Sequence, residues 1–247
     1  MCLNFLFPKS NDIEEKVDII KEYNVSSGFV NYSQRNNKFI YKRGDLKVCA
    51  ENMCNVTSYV MTASYNGIIL PENPKYEQPE DAFADFLLND SEVNRYYKEK
   101  FPAMYDAYSK GYANAMPPNL VHSILAYGFN LWLQSDIVEF NDKCPVKTIQ
   151  DEIMNNRSVV ISGRFPYNDS YINHVVSLVG LTYNETKGEV LKYIIDDPFG
   201  NLHYNYTKGI SGNDVILSNS NFINYIKEIG NTDYKWAHTF KKGAKLV

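Results

Sequence analysis

His174-Val175-Val176-Ser177-Leu178-Val179-Gly180-Leu181-Thr182-Tyr183 and, after a short polar link, Val190-Leu191-Lys192-Tyr193-Ile194-Ile195-Asp196-Asp197-Pro198 are the runs on which the fold turns. Both are rich in β-branched and aromatic residues and bounded by Gly, Asn and Pro, which is how strands read. The link Asn184-Glu185-Thr186-Lys187 is short enough to join them as an antiparallel hairpin. If Tyr183 pairs with Gly188, the numbers of opposed residues sum to 371 and His174 faces Asp197. Opposed residues on one face have Cβ atoms about 4.5–5.5 Å apart. The carboxylate then accepts a hydrogen bond from one ring nitrogen and leaves the other for a third group. Asp196 falls on the opposite face. A bulge or another loop length would move the register, so Asp196 stays open as the alternative.

Outward from the hairpin, Ser158-Val159-Val160-Ile161-Ser162 reads as a further strand and 219–228 as a last short helix. Upstream the pattern is helical. Residues 53–65 carry small and apolar residues and stop at Asn66-Gly67, which predicts a buried helix, although the β-branched content would also permit a strand. Residues 11–23 place Ile13, Val17 and Ile20 at helical spacing. Residues 28–48 read as extended segments and turns, and 68–78 as a Pro-rich loop. Helices are expected from Glu80 to about Leu88, near Ser91–Lys100, near Asn119–Leu131 and over 146–156. Helices first and strands second predict an α+β fold with an antiparallel sheet, not an alternating parallel one.

The 247 residues are 44% hydrophobic and carry a net charge of −4, enough for a core without disulfides or metal staples. The pI of about 5.6 argues against a nucleic-acid partner, because phosphate contacts need a surplus of Lys and Arg. The start, Met1-Cys2-Leu3-Asn4-Phe5-Leu6-Phe7-Pro8, does not read as a signal peptide, and no run approaches the roughly 18 apolar residues of a membrane span. The expectation is a chain made soluble in the cytoplasm that acts elsewhere only if carried or released. The four cysteines are too sparse for a disulfide scaffold, and no second Cys/His pair completes a zinc site, so no cofactor is expected.

Cysteine nucleophiles need activation, since a free thiol has a pKa of roughly 8.5. Helix N-termini and neighbouring imidazolium groups supply it. Cys54 sits where the 53–65 helix begins. Cys2 is terminal, Cys49 lies at a strand end, and Cys144 precedes Pro145. His122 falls inside a helical stripe, while His203 and His238 have no acidic partner at useful spacing. No Gly-x-Ser-x-Gly elbow appears, which disfavours a serine hydrolase. A buried small hydrophobe is the plain alternative for Cys54, as is an edge histidine for His174 and a turn residue for Asp197.

Cys54-Asn55-Val56-Thr57-Ser58, the His174-Val175-Val176 strand and Asp197-Pro198-Phe199-Gly200-Asn201 resemble the papain-like cysteine peptidases, in particular the bacterial and phage branch related to bacteriocin leader peptidases. The resemblance covers roughly 28–67 and 146–203. It implies a catalytic helix packed on an antiparallel sheet. Residues 68–145, outside the resemblance and too long for a simple connector, read as a helical insertion within a single domain over 1–247, which either borders the cleft or packs over one side of the sheet. Cys54 is then the nucleophile, His174 the base and Asp197 its orienting partner. Gln34, in Ser33-Gln34-Arg35-Asn36-Asn37, is the implied oxyanion donor with Asn52 as the alternative. The implied substrate is a peptide bond. A peptidoglycan endopeptidase released by lysis or carried on a virion is the specific expectation. The rivals are an intracellular processing peptidase, an acyltransferase, and a phage structural or binding protein that has lost catalysis.

Overall fold

The computed structural model describes residues 17–29, 31–226 and 234–241. In chain order its strands are β1 (Ile20–Asn24), β2 (Tyr41–Arg43), β3 (Leu46–Val48), β4 (Val138–Pro145), β5 (Val159–Tyr167), β6 (Ser170–Asn184), β7 (Glu189–Asp196), β8 (Val215–Ser218) and β9 (Tyr234–Phe240). Its helices are α1 (Cys54–Tyr65), α2 (Pro79–Asn89), α3 (Ser91–Lys100), α4 (Pro102–Ser109), α5 (His122–Trp132), α6 (Val146–Met154) and α7 (Asn219–Tyr225). The main sheet runs β4-β9-β5-β6-β7-β8, with β1 also paired to β6, and every pairing is antiparallel. The fold is α+β and papain-like, as the sequence predicts.

Alternation along β5 and β6 divides the core. Val160 and Val175 face α1 and the helices beyond it, while Val159, Ile161, Val176 and Leu178 face α6 and α7 through Ile149, Ile153 and Phe222. α1 is buried nearly all round, so it lacks a polar face. Its small polar residues satisfy the sheet: Ser58 donates to Val175 O at 3.0 Å and Thr62 to Ser177 Oγ at 2.7 Å. On its other side Tyr59, Phe83 of α2 and Phe129 of α5 form edge contacts at 4.9–5.3 Å. Fully burying each such ring is worth about 1.5–3 kcal/mol.

The hairpin register differs from the sequence expectation. Asn184 pairs with Glu189 and Tyr183 with Val190. Gly188 cannot enter the ladder because its φ is +70°, so it closes the loop by donating from its N–H to Asn184 O at 2.8 Å. Two compensating bulges follow, and Ser177 ends opposite Asp196. The displacement is two residues, so each side chain keeps its face. Asp197 is therefore diagonal to His174, not directly opposed.

Other expectations shift too. The helix over 11–23 begins outside the described residues, and its second half is not helical: Ile20–Asn24 is β1, held on the edge of β6. The tail of the expected helix over 219–228 also lies outside them. β4, β8, β9 and the short α4 do not stand out in the sequence. The segment 68–145 carries α2 to α5 between Pro79 and Trp132, interrupted by turns and coil over 110–121, but Val138–Pro145 belongs to the main sheet.

Candidate active site

The start of α1 is set by the turn before it. In the 3-10 turn Ala50–Asn52, Asn52 Oδ1 accepts from Cys49 N–H at 2.8 Å and Asn52 Nδ2 donates to Lys47 O at 3.1 Å. Both ends of Asn52 are thereby committed away from Cys54. The N-cap residue Met53 offers no side-chain acceptor, and of the first-turn N–H groups Val56 N–H is taken by Asn55 Oδ1 at 2.9 Å, which leaves those of Cys54 and Asn55 to whatever sits beside Cys54. Cys54 itself is half-buried.

His174 comes from β6 and Asp197 is the first residue after the neighbouring β7. His174 Nε2 donates to Asp197 Oδ1 at 2.6 Å. The same oxygen accepts from Phe199 N–H at 2.8 Å, and Asp197 N–H donates to Gly212 O at 2.9 Å. The diagonal register is bridged because the imidazole reaches along the sheet and the turn after β7 is pinned. That pinning needs Gly212, since a Cβ there would lie 2.1 Å from Asp197 O. Asp196 points the other way and accepts from Tyr65 at 2.7 Å and Asp214 N–H at 2.7 Å, so it braces α1 against β7.

Both His174 and Asp197 are almost wholly buried, at 4% and 1% exposed. Burial alone pushes an imidazole down. The Asp197 charge and hydrogen bond, with a hydrogen bond to Cys54, outweigh it and raise the His174 pKa to about 10. With Nε2 given to Asp197, Nδ1 is the nitrogen left for the Cys54 sulfur. Cys54 and His174 line one cavity of about 480 Å³. A sulfur at a helix start beside a protonated, carboxylate-anchored imidazole can act as a nucleophile near neutral pH.

Gln34 is buried at 1% exposure and sits between two loops. Its N–H donates to Pro198 O at 2.9 Å, and its Nε2 donates to Ala50 O at 2.9 Å in the turn leading to Cys54. It does not line the cavity. The residue therefore joins the Asp197 turn, through its backbone N–H, to the Cys54 turn, through its side-chain amide.

Three groups near the site escape sequence reading. The Tyr206 ring lies 6.0 Å from the His174 ring, and burial followed by the Asp197 charge pushes its phenol pKa up. His122 lines the cavity, and its Nδ1 is 2.8 Å from His238 Nε2. His238 Nδ1 in turn hydrogen-bonds the buried Tyr59 hydroxyl. Burial, then the neighbouring His122, holds the His238 pKa well below the usual value. These partners lie 116 and 179 residues apart, so no local spacing signals them. Among the described residues no group of three or more His, Cys, Asp or Glu is arranged to hold a metal ion, and no helix is long and apolar enough to cross a membrane.

An α1-like helix beginning at a cysteine and packed on an antiparallel sheet that carries a histidine defines the papain-like class of folds. Within it, residues 27–233 match the Peptidase_C39-like family, and the chain belongs to that family. The fold is similar to a crystal structure from Bacillus anthracis whose chain is described as a C39-like peptidase: TM-score 0.51, 14% identity, over 91% of this chain and 100% of that one. No curated protein sequence matches significantly.

Proposed function

We propose that the protein is a cysteine peptidase that hydrolyses a peptide bond through Cys54, His174 and Asp197. The observation that carries this is the 2.6 Å bond from a buried His174 to Asp197 beside the cavity that His174 shares with Cys54. The Cys54 sulfur attacks the carbonyl carbon and His174 gives its proton to the leaving amine. Water then resolves the thioester while His174 takes a proton back. Asp197 keeps the imidazole oriented throughout. The Cys54 N–H is the natural oxyanion donor, and Gln34, one hydrogen bond from the preceding turn, is its proposed helper.

A peptidoglycan bond is the substrate that the sequence resemblance suggests. A polypeptide substrate, as for a processing peptidase, is favoured by one observation: Met104, Met116, Leu120 and Trp236 line the cavity. The test is hydrolysis of a peptide library and of purified peptidoglycan by the intact chain and by Cys54→Ala. New amino termini that need Cys54 are expected from peptides. A protein whose biological effect survives Cys54→Ala would be a binding module instead.

A further inference from the structure

Among the described residues, two buried polar atoms behind His174 lack a partner in hydrogen-bonding geometry: Asp197 Oδ2 and the Tyr206 hydroxyl. Buried polar groups are nearly always paired, and an unpaired one carries the full loss of its hydration. One of these two is an acceptor and the other a donor. Asp197 Oδ1 is used twice, by His174 Nε2 at 2.6 Å and by Phe199 N–H at 2.8 Å. Oδ2 is the unused half of a carboxylate whose residue is almost wholly buried. Tyr206 is buried as deeply, and its ring packs against both residues that serve Oδ1, 6.0 Å from the His174 ring and 5.2 Å from the Phe199 ring. Burial first, and then the Asp197 charge, pushes the phenol pKa up, so the hydroxyl keeps its proton and meets a carboxylate only as a donor.

The backbone at Tyr206 is strained. Asn205 and Tyr206 have φ of +50° and +56°, a left-handed conformation that a bulky residue rarely adopts. It is held from two sides. Tyr206 N–H donates to Asn201 O at 3.0 Å, and Tyr206 O accepts from Arg35 Nη2 at 2.7 Å. The Arg35 guanidinium also lies over the Phe199 ring, 4.2 Å from its centre. Residues kept in such conformations gather at functional sites. Packing alone does not explain the choice, since Phe would fill the same space without burying a hydroxyl.

We propose that Tyr206 is a positioning residue of the triad, whose hydroxyl donates to Asp197 Oδ2 while Oδ1 serves His174. The inference rests on the peptidase function proposed above. With both oxygens occupied, the carboxylate cannot turn away from His174, and its charge is held to lower pH. The other titratable or charged groups around this pair are His174 of β6, Cys54 of α1, Tyr167 of β5 and Tyr225 of α7, with Arg35 at the Tyr206 carbonyl.

The test follows alkylation of Cys54 by iodoacetamide in the full chain, read by mass spectrometry from pH 4 to pH 9. It compares wild type with Tyr206→Phe and, as a second variant without the hydroxyl, Tyr206→Met. Without that donor the buried carboxylate takes up a proton more readily, and the imidazolium beside Cys54 loses its support. The acid limb of the profile should move up by about one pH unit or more, as loss of a hydrogen bond to a charged group implies, with rates at pH 9 within about twofold. In an Asp197→Asn background the same substitutions should shift nothing, because the hydroxyl acts through the carboxylate. A limb that stays in place, a rate that falls by one factor at every pH, or a shift that persists in Asp197→Asn would overturn the role of Tyr206 and leave a reactive Cys54 intact. Wild-type Cys54 that titrates like a free thiol would instead remove the peptidase function, and this role with it.

Discussion

Asp197→Asn keeps the shape of the side chain and removes the charge that holds His174 protonated. The His174 pKa rises from 6.5 to about 10 although burial pushes it the other way, so Asp197 and Cys54 must supply more than the net rise. At about 1.36 kcal/mol per pH unit the net rise corresponds to roughly 5 kcal/mol of preference for the imidazolium, an upper limit once the surroundings relax. Without the carboxylate charge, burial dominates and His174 is neutral at pH 6. Cys54 then loses the imidazolium beside it. A free thiol, with a pKa of roughly 8.5, is ionised in about one molecule in 300 at pH 6. Alkylation by iodoacetamide at pH 6, followed by mass spectrometry, should therefore slow about 100-fold or more in Asp197→Asn, with the two proteins converging near pH 9. His174→Ala should do the same. Stability supplies an independent readout. A histidine with a raised folded pKa stabilises fully below about pH 6.5 and loses that contribution as pH rises through about 10. The variant's deficit in urea, about 3–5 kcal/mol for a broken buried pair, should be largest at pH 6 and shrink toward pH 10. A folded Asp197→Asn protein that alkylates at pH 6 within threefold of wild type would refute the argument, since the proton on His174 would then not depend on Asp197.

Gly212→Ala should cost about 1–3 kcal/mol by denaturant titration and slow alkylation of Cys54, because the new Cβ would meet Asp197 O at 2.1 Å. Glu80, buried on the first turn of α2, has its carboxyl pushed up to about 7 by burial. A raised carboxyl loses stability as pH rises from 4.5 through 7, so Glu80→Gln should gain up to about 3 kcal/mol on wild type between pH 4.5 and pH 8, read as the change in Tm difference. Tyr59→Phe strips His238 Nδ1 of its buried partner and should cost about 1–3 kcal/mol in a denaturant titration at pH 7. Gln34→Ala should lower kcat about 10²–10³-fold with KM little changed if its amide reaches the oxyanion. A fall in Tm with kcat intact would assign it to joining the two loops alone.

The helix at Cys54, the α+β order and the hairpin were all legible because each is local. Small residues running to Asn66-Gly67 announce a buried helix, and two β-branched runs across a polar link announce paired strands. The face on which Asp197 lies was legible for the same reason: side-chain direction has period two, so a register displaced by two residues changes the partner but not the face. β1 was misread because three apolar residues at helical spacing say nothing of an unpaired edge on β6 waiting to be filled. β9 and β4 were hidden because neither is a hydrophobic run: β4 finds its ladder on β9, and β9 lies between β4 and β5.

By itself the sequence determined where a nucleophile, a base and a carboxylate could stand. Tertiary structure alone decided which groups meet around them. The Gly212 contact that pins Asp197, the Gln34 link between two loops and the Tyr59–His238–His122 chain all join residues far apart in sequence. So does the apolar wall that Met104 and Met116 raise against the sheet. Local propensity acts over a turn or a strand. These contacts exist only once long loops have closed and the layers have packed, and no spacing along the chain encodes them directly.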